Sequence, residues 1–246
     1  MNKKRIAIVT GAAKGIGKAI TSRLISDSFF VVAVDVDDKA GKKLVTEFGK
    51  TKLSFAKVDI CNEKSVQQLF EKIVNEYIEI SVLVNNAGII RDNMIWKMSV
   101  EDFDSVMNVN LKGSWLMCRE AARIMKEQKR GRIVNIASRA WLGNKGQSNY
   151  SASKAGVIAL TRVLALELGK YKVSVNAIAP GLIDTPMTQS LSKEVLDKLI
   201  AAQPTNEMGK PDDVANAVAF LASEQTQFIT GQTIYVDGGK SIGAGI

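Results

Sequence analysis

The sequence predicts an α/β fold in which seven parallel strands form one doubly wound sheet with helices on both faces. Short apolar runs alternate with helical patterns from the first residues onward. The runs are continuously apolar, which is typical of strands buried on both faces, and the strand–helix–strand order requires parallel pairing through right-handed crossovers. No linker, low-complexity tract or internal repeat interrupts the pattern, so we expect a single domain over residues 1–246.

The first half of the chain supplies four of the predicted strands. They are the apolar runs at residues 5–10, 30–35, 53–58 and 81–85. Helices are predicted between them, where apolar residues recur every three or four positions, at residues 16–26, 39–48 and 65–77. In the third helix one face carries the apolar residues Val66, Leu69, Phe70 and Ile73, as expected of a helix that covers a sheet.

The second half continues the pattern with one longer helix and one irregular stretch. A helix is predicted over residues 100–128, with an internal glycine at Gly113. The remaining elements follow in order: a strand at 132–137, a helix at 149–168, a strand at 172–178, a helix at 211–222 and a strand at 232–236. Residues 186–204 are less regular, and we expect them to form a lid over a substrate.

Composition and cysteine usage narrow the class of protein. Hydrophobic residues make up 46% of the chain and charged residues 24%, enough for a sizeable core. No apolar run approaches the ~18 residues of a membrane span, and the run at residues 6–9 is too short for a secretory signal. Cys61 and Cys118 are isolated and the chain has no histidine, so we predict no metal site and a reducing cytoplasm.

The charge balance bears on the partners. The chain carries 33 basic and 25 acidic residues, a net charge of +8. Its basic blocks are only a few residues long and lack interleaved aromatic residues, which argues against nucleic acid. Acidic small molecules or an acidic carrier protein are the expected partners. The basic stretch at residues 126–132 is the candidate surface for such a carrier.

A glycine-rich turn joins the first strand to the first helix. Residues 10–17 read TGAAKGIG, in which Gly11, Gly15 and Gly17 permit a tight turn and a close approach to a diphosphate at the helix N-terminus. The spacing is G-x-x-x-G-x-G, and a tight connection without a ligand is the alternative. Because the turn follows the first strand, we predict Rossmann-type dinucleotide binding, with Lys14 and Ile16 in the same turn.

Asp35 ends the second strand about ~20 residues past the glycines, where such folds place the acidic residue that hydrogen-bonds a ribose 2′-hydroxyl. Its carboxylate would repel the extra phosphate of NADP, so the sequence favours NAD. Lys14 and Lys39 offer a competing positive field, which leaves NADP open. The alternative is a carboxylate that only caps the next turn.

Two further loops at the same sheet edge are candidate walls of the cofactor site. Asp59 and Ile60 follow the third strand, where the carboxylate can accept a hydrogen bond from an adenine amino group or serve as an ordinary turn residue. Asn86, Ala87 and Gly88 follow the fourth strand, at the edge where ligands bind in open α/β sheets. For them an ordinary loop is the alternative.

A serine, a tyrosine and a lysine are spaced for proton transfer at a carbonyl or alcohol carbon. Tyr150 and Lys154 are four residues apart, so they share one face of the predicted helix. A neighbouring ammonium favours the phenolate of a tyrosine, which ordinarily titrates near ~10. Ser138 follows the strand at 132–137 and would reach the same rim. Taken alone, Tyr150 and Lys154 could also be an ordinary surface pair.

Six motifs occur in order: TGAAKGIG at 10–17, NNAG at 85–88, NVN at 108–110, Ser138, Y-x-x-x-K at 150–154 and PG at 180–181. Through them the chain resembles the short-chain dehydrogenase/reductase family over essentially its whole length. The local stretches NNAGIIRDN, GRIVNIAS, NYSASKAG and ITGQTIYVDGG look most like 3-oxoacyl-acyl-carrier-protein reductases and their acetoacetyl-CoA reductase relatives.

The resemblance implies a role for each motif residue. Tyr150 would be the general acid in carbonyl reduction and the base in alcohol oxidation, and Ser138 would hydrogen-bond the substrate oxygen. Lys154 would hold the nicotinamide ribose and lower the pKa of Tyr150. Asn110 would anchor a water that joins Lys154 to solvent, unless it only kinks its helix. The nicotinamide loop would contain Pro180, Gly181, Ile183 and Thr185. The resemblance also implies a homotetramer built on the two long helices.

Three functions remain open from the sequence. The first is an NAD-linked reductase of 3-oxoacyl thioesters, which the local resemblances favour. The second is an NAD-dependent dehydrogenase of a small secondary alcohol, diol or cyclic ketone, which Asp35 favours because the similar reductases usually prefer NADPH. The third is a nucleotide-binding family member without catalysis. Arg139, Trp141 and the lid match no known pattern, and we expect them to select the substrate.

Overall fold

The computed structural model describes residues 5–77 and 79–242, so both ends of the predicted domain lie outside the described residues. Within this part of the chain seven strands form one parallel sheet in the order β3-β2-β1-β4-β5-β6-β7. The strands are β1 (Arg5–Thr10), β2 (Phe29–Asp35), β3 (Leu53–Lys57), β4 (Val82–Asn85), β5 (Gly131–Ile136), β6 (Val173–Pro180) and β7 (Thr233–Val236). The predicted doubly wound parallel sheet is confirmed.

Helices connect the strands and cover both faces of the sheet. They are α1 (Gly15–Ser26), α2 (Asp38–Phe48), α3 (Glu63–Glu76), α4 (Val100–Met107), α5 (Ser114–Gln128), α6 (Ser148–Leu168), α7 (Pro186–Gln189), α8 (Lys193–Ala201) and α9 (Pro211–Ala222). The short 3-10 helices Arg139–Leu142 and Gly169–Tyr171 flank α6.

Alternate residues of each central strand enter different hydrophobic cores. In β1 the side chains of Ile6 and Ile8 pack into one core with residues of α3, α5 and α6. Ala7 and Val9 pack into the other core with residues of α1, α2 and α9. Complete burial of a side chain of this size stabilises the fold by about 1.5–3 kcal/mol, which explains why both faces of the sheet require apolar residues.

The strand order reverses direction between β1 and β4. β1 pairs with β2 on one side and with β4 on the other, so that Ala7 lies opposite both Val31 and Val82. The crossovers on the two sides leave on opposite faces, and the connecting loops separate at the carboxyl ends of the strands. Ligands of open α/β sheets bind in the crevice formed there.

The long helix predicted over residues 100–128 is interrupted. Its middle is a π-helical turn, Asn108–Gly113, between α4 and α5. Gly113 packs so closely against Ile60 that a Cβ atom would lie 2.7 Å from the Ile60 Cδ1 atom. The Asn110 carbonyl, released from the regular pattern, accepts a hydrogen bond of 2.8 Å from the Ser114 hydroxyl. Single π-helical turns of this kind often occur at functional sites.

The irregular structure predicted for residues 186–204 is also wrong. This segment contains α7 and α8, whose first turns are capped by the hydroxyl groups of Thr185 and Ser192. Neither helix is long, and α8 has no buried residue. Apolar residues do recur at helical spacing in α8, at Val195, Leu196, Leu199 and Ile200, but none of them is buried in the core.

Two classes of site are not found among residues 5–77 and 79–242. No helix there has the length and apolar character needed to cross a membrane. The same residues contain no group of three or more His, Cys, Asp or Glu side chains placed to hold a metal ion.

Candidate active site

A cavity of about 900 Å³ opens at the carboxyl edge of the sheet. Loops that follow six of the strands, β1 to β6, contribute to its walls together with α6 and the segment around α7 and α8. Nearly all of the predicted site residues line it: Gly11, Lys14, Gly15, Ile16, Gly17, Asp35, Asp59, Ile60, Asn86, Ala87, Gly88, Ser138, Tyr150, Lys154, Pro180, Gly181, Ile183 and Thr185.

The glycine turn is shaped to admit a group against the first helix. Gly11 has a positive φ of 61°, and a Cβ atom there would lie 2.8 Å from the Ala87 Cα atom. A Cβ atom on Gly17 would overlap the Gly11 carbonyl oxygen. The N-terminus of α1 lacks a side-chain cap and has no acidic residue in its first turn. Its free N–H groups therefore fit a phosphate, as a dinucleotide would supply.

Asn86 joins the glycine turn to the loop after β4. Its side-chain amide donates to the carbonyl oxygens of Thr10 and Gly11, both at 3.0 Å. In return the Thr10 hydroxyl accepts hydrogen bonds from the backbone N–H groups of Asn86 and Ala87, at 3.0 and 3.1 Å. The Asn86 amide is thus engaged with protein, and its effect on the cavity is to fix the wall.

Asp35 lies beside the glycine turn at the end of β2. Its carboxylate accepts hydrogen bonds from the backbone N–H groups of Ala13 at 3.0 Å and Asp37 at 3.1 Å. Each oxygen still has accepting capacity toward the cavity. Asp59, after β3, lines the same region and accepts from the Cys61 N–H at 2.9 Å, as expected of a turn residue.

Asn110 does not line the cavity but lies directly behind it. Its side-chain oxygen accepts from the Ile89 N–H at 2.8 Å, and its amide donates to the Ile89 carbonyl and the Ser153 hydroxyl, both at 3.1 Å. A Cβ atom on Gly88 would lie 3.2 Å from the Asn110 Oδ1 atom and 3.5 Å from the Lys154 Nζ atom. The structure therefore brings the π-helical turn, the β4 loop and α6 together at Lys154.

Lys154 is buried at the end of β5. Its Nζ atom donates a hydrogen bond of 2.7 Å to the Ile136 carbonyl oxygen and lies 5.7 Å from the centroid of the Tyr150 ring. Burial disfavours the charged ammonium and lowers the pKa of Lys154 to about 8. The lysine can therefore gain or lose a proton near neutral pH.

Tyr150 and Ser138 face each other across the same rim. Burial raises the pKa of Tyr150, the hydrogen bond with Ser138 opposes the rise, and the charge of Asp92 adds to it. The prediction that Lys154 lowers this pKa is wrong for the protein without ligands, because removal of the phenol from water dominates. The Ser138 hydroxyl also accepts a hydrogen bond of 3.1 Å from the Ala140 N–H, which fixes its position.

The loop after β6 holds the other predicted residues in place. Gly181 packs against Asp237, where a Cβ atom would lie 2.7 Å from the Asp237 Cβ atom. Ile183 is buried in the core, and its carbonyl oxygen accepts a 2.7 Å hydrogen bond from the Thr188 hydroxyl. The Thr185 hydroxyl caps α7 by accepting from the Thr188 N–H at 3.4 Å. Of these groups, the Thr185 hydroxyl is only weakly engaged.

Sequence reasoning missed Asp92, Gln147 and Tyr235 around the catalytic end. Asp92 accepts a hydrogen bond of 2.8 Å from the Gln147 side chain, which lines the cavity, and its charge reaches Tyr150. The Trp141 indole donates a 2.8 Å hydrogen bond to the Tyr235 hydroxyl, which anchors the loop before α6. These pairs are 55 and 94 residues apart in the chain, so no local pattern indicates them.

The basic stretch at residues 126–132 lies at the opposite edge of the sheet. Arg132 stands at the start of β5, whereas the cavity is lined by residues from its end. The strand separates the two by about 15–20 Å at ~3.3 Å per residue. Arg130 pairs with Glu79, and Lys126 pairs with Glu127 at 3.3 Å. The expectation that this stretch meets an acidic carrier stays a prediction; a carrier bound there would lie at the edge of the sheet away from the cavity.

Comparisons with known proteins agree with this geometry. The pattern of a family described as enoyl-(acyl carrier protein) reductase matches residues 11–241. A (2S)-[(R)-hydroxy(phenyl)methyl]succinyl-CoA dehydrogenase subunit, BbsD of Thauera aromatica, is 43% identical and aligns over 99% of both chains. The 3-oxoacyl-[acyl-carrier-protein] reductase FabG of Thermotoga maritima is 40% identical over 97% of this chain and 98% of its own. The solved structure of ElxO with NADP bound superposes with a TM-score of 0.91 at 30% identity, covering 96% and 98% of the two chains.

Proposed function

Because the chain belongs to the short-chain dehydrogenase/reductase family and is an NAD(P)-dependent oxidoreductase, we propose that its reaction is the reduction of a 3-oxoacyl thioester to the 3-hydroxyacyl thioester. The observation that carries the proposal is the meeting of Ser138, Tyr150 and Lys154 in the cavity at the topological switch point. A nicotinamide cofactor, when bound, supplies or accepts the hydride.

The three side chains divide the proton chemistry between them. As the substrate carbonyl carbon gains a hydride, its oxygen gains negative charge, and the Tyr150 hydroxyl delivers a proton to that oxygen. Ser138 donates a hydrogen bond to the same oxygen and stabilises the developing charge. Lys154, which has a pKa of about 8 and an Nζ atom 5.7 Å from the centroid of the Tyr150 ring, restores the proton to Tyr150. In alcohol oxidation each proton moves in reverse.

The roles of the remaining predicted residues follow from their positions. Gly11, Gly15 and Gly17 leave room for the diphosphate, and Asp35 accepts from the ribose hydroxyls of the adenosine. Asn110 supports Lys154 from behind through Ile89 and Ser153. The segment with α7 and α8 acts as the lid, since Leu199, Ala202 and Gln203 of this region line the cavity.

The substrate class rests on the relatives. BbsD and FabG are named for acyl groups carried on coenzyme A or on a carrier protein. Both names describe a hydroxyl or oxo group on an acyl thioester, which supports an acyl thioester as the substrate of this protein. A carrier protein, if it delivers the substrate, has to approach the carboxyl edge of the sheet, where Lys14 and Lys240 lie at the cavity.

For the cofactor we favour NAD over NADP. The Asp35 carboxylate is fixed beside the glycine turn by two backbone N–H groups, so it cannot easily move away from an additional phosphate. Lys14 lines the same cavity and is the group that could offset this repulsion.

A second candidate function is the oxidation of a small secondary alcohol, diol or cyclic ketone precursor with NAD. Asp35 favours it, because NAD suits oxidation in the cell. A family member that binds nucleotide without catalysis is the third reading, and the complete set of Ser138, Tyr150 and Lys154 in one cavity argues against it.

A substrate panel separates these functions. Acetoacetyl-CoA, 2-butanol, 2,3-butanediol and cyclohexanone would be assayed with each nicotinamide cofactor, with crotonyl-CoA as the control for enoyl reduction. We expect turnover of acetoacetyl-CoA with NADH and none of crotonyl-CoA. Rapid turnover of a simple alcohol or ketone without turnover of acetoacetyl-CoA would reject the thioester proposal and support the second function.

The proposal extends to assembly and location. We place the protein in the cytoplasm, in keeping with its isolated free cysteines Cys61 and Cys118. We also propose a homotetramer, because α6 exposes apolar residues along one face, including Val163 and Leu166.

A further inference from the structure

Arg139 carries an unpaired charge at the catalytic end of the cavity. It directly follows Ser138, begins the 3-10 helix Arg139–Leu142 and lines the cavity. Its Nε atom is buried and has no hydrogen-bond partner. In the part of the chain that the structure describes, its guanidinium makes neither a hydrogen bond nor an ion pair. Buried donors on charged groups are almost always paired, so the Nε atom of this half-buried arginine is suited to a partner that enters the cavity.

No carboxylate of the cavity wall is placed to serve Arg139. Among the described residues that line the cavity, the carboxylates are Asp35, Asp37 and Asp59. Asp35 ends β2, and β2 is separated from β5 by three strand spacings, or about 14 Å. Asp37 and Asp59 lie on the same far side.

Asp92 is the carboxylate on the near side. It accepts its hydrogen bond from Gln147, and the charge it contributes reaches Tyr150. The basic groups at this end, Lys154 and Lys240, donate to the carbonyl oxygens of Ile136 and Ala202. The field that a substrate meets beside Ser138 is therefore positive, and Arg139 is the cation there whose donors are free.

We propose that Arg139 binds a carboxylate carried by the acyl part of the substrate, close to the reacting carbon. This inference rests on the proposed function, because it places the reacting oxygen at Ser138 and Tyr150. Adjacent Cα atoms are about 3.8 Å apart, so a group held by Arg139 is only a few bonds from an oxygen held by Ser138. A planar guanidinium matches a carboxylate with two parallel hydrogen bonds.

Phosphate is the other anion that an arginine binds, but the phosphate groups that could enter this cavity would lie away from Arg139. The diphosphate of a dinucleotide would sit at the glycine turn after β1, two strand spacings from β5, or about 10 Å away. The phosphates of coenzyme A or of a carrier are separated from the reacting carbonyl by the whole pantetheine arm. A carboxylate on the acyl group itself needs no such reach.

The consequence is a preference for acidic acyl groups. A neutral substrate leaves the Nε donor of Arg139 buried and unpaired, whereas a carboxylate satisfies it. A site built around a buried polar group discriminates strongly against a substrate that lacks the partner. We expect a factor of about 10–100 in kcat/KM, as for one hydrogen bond to a charged group.

A matched pair of substrates tests the preference. The pair consists of the N-acetylcysteamine thioester of 2-(carboxymethyl)-3-oxobutanoate and its methyl ester, which differ in one charge and contain no phosphate. Wild-type protein should prefer the acid by about 10–100-fold, and Arg139→Met should abolish the preference. Lys145→Met is the control, because Lys145 is an exposed lysine of the same loop that does not line the cavity; it should keep the preference. Equal preference in wild type and Arg139→Met would overturn the inference.

A binding measurement decides the inference even if no thioester is turned over. Glutarate would be titrated into each protein, with neutral glutaramide as its control, while the fluorescence of Trp141 and the other tryptophans is followed. Wild type and Lys145→Met should bind glutarate, Arg139→Met should not, and Arg139→Lys should bind it more weakly. Glutarate binding that Arg139→Met retains would reject the carboxylate site. Absence of any thioester turnover, with this binding pattern intact, would reject only the proposed function.

The source of the anion is tested by changing the carrier. If Arg139→Met weakens coenzyme A thioesters but not N-acetylcysteamine thioesters, then Arg139 contacts a phosphate of the carrier, and the inference is wrong. Circular dichroism and thermal unfolding of each variant would confirm that the loop substitution leaves the fold intact.

Discussion

Burial acts in opposite directions on the two titratable residues at the centre of the site. It raises the pKa of Tyr150 and lowers that of Lys154 to about 8, so burial shifts both groups toward their neutral forms. A protonated phenol is the form that reduction needs, and a lysine poised near pH 8 can replace its proton. The carbonyl oxygen of Ile136 keeps the lysine in place during the exchange.

The depressed pKa of Lys154 predicts a pH dependence of stability. Unfolded protein holds this proton up to about pH 10.4, whereas folded protein releases it near pH 8. The unfolded state therefore binds more protons between these values, and the free energy of unfolding rises with pH there. Urea unfolding measures this effect. From pH 8 to pH 9 the free energy of unfolding of wild type should rise by about 1 kcal/mol more than that of Lys154→Met. An equal pH increment in both proteins would contradict the assigned pKa.

Asp35 predicts the choice of cofactor. Asp35→Asn retains the shape of the side chain and one acceptor oxygen but removes the charge that would repel the additional phosphate of NADP. We expect the ratio of kcat/KM for NADPH to that for NADH to rise about 10-fold or more, as for loss of one close charge repulsion of ~1.4 kcal/mol. Steady-state kinetics with both cofactors measures it. Asp37→Asn, two residues further along the chain, is the matched control and should change the ratio much less.

At the scale of elements, the sequence predicts what is regular and misses what depends on distant contacts. The strands are predicted because their apolar runs must fill both cores, and the glycine turn because its backbone geometry excludes other residues. The π-helical turn is missed because Gly113 and Ile60, which hold it, are far apart in the chain. Helix α8 is missed although Val195, Leu196, Leu199 and Ile200 recur at helical spacing after the Ser192 cap, because the helix is short and does not pack into the core.

The site residues likewise divide into those that the sequence could locate and those that depend on distant contacts. Residues at strand ends, such as Asp35 and Ser138, could be located because parallel strands align their carboxyl ends. The pairing of Asp92 with Gln147 could not, since it depends on how two loops pack. The charge of residues 126–132 is visible in the sequence, whereas the edge of the sheet on which they lie follows only from the start of β5.

The two glycines at the start of α1 should respond differently to substitution. Gly17→Ala places a Cβ atom into the Gly11 carbonyl oxygen, so the backbone has to move, at a cost of about 3 kcal/mol or more. Gly15→Ala meets atoms no closer than 3.7 Å, and only its positive φ of 53° is unfavourable, at about 1–2 kcal/mol. Urea unfolding compares them. A smaller loss for Gly17→Ala than for Gly15→Ala would show that the turn is arranged differently.

At the scale of the whole molecule, the exposed face of α6 points to assembly. Leu166 is 85% exposed and lies one helical turn from Val163, on the surface away from both cores. An isolated exposed leucine needs no explanation, but several apolar residues in line on one helix are typical of an interface. The cavity opens at the carboxyl edge of the sheet and does not use this face.

Substitution on that face tests the homotetramer. Leu166→Glu introduces a charge into the proposed interface and should convert the protein to smaller species. Light scattering should give about four times the chain mass of 26.7 kDa for wild type and a lower mass for the variant. Val74→Glu, on an exposed position of α3, is the control and should leave the mass unchanged. A wild-type mass of 26.7 kDa would reject the tetramer.

The central claim is that this family member reduces 3-oxoacyl thioesters with Tyr150 as the proton donor. It is tested most directly by following NADH consumption with acetoacetyl-CoA for wild type and Tyr150→Phe, a change that removes only the hydroxyl. We expect turnover by wild type, a loss of kcat of about 10²–10⁴-fold in the variant, and retained cofactor binding. Turnover by Tyr150→Phe at the wild-type rate, or no turnover by wild type with NADH or NADPH, would contradict it.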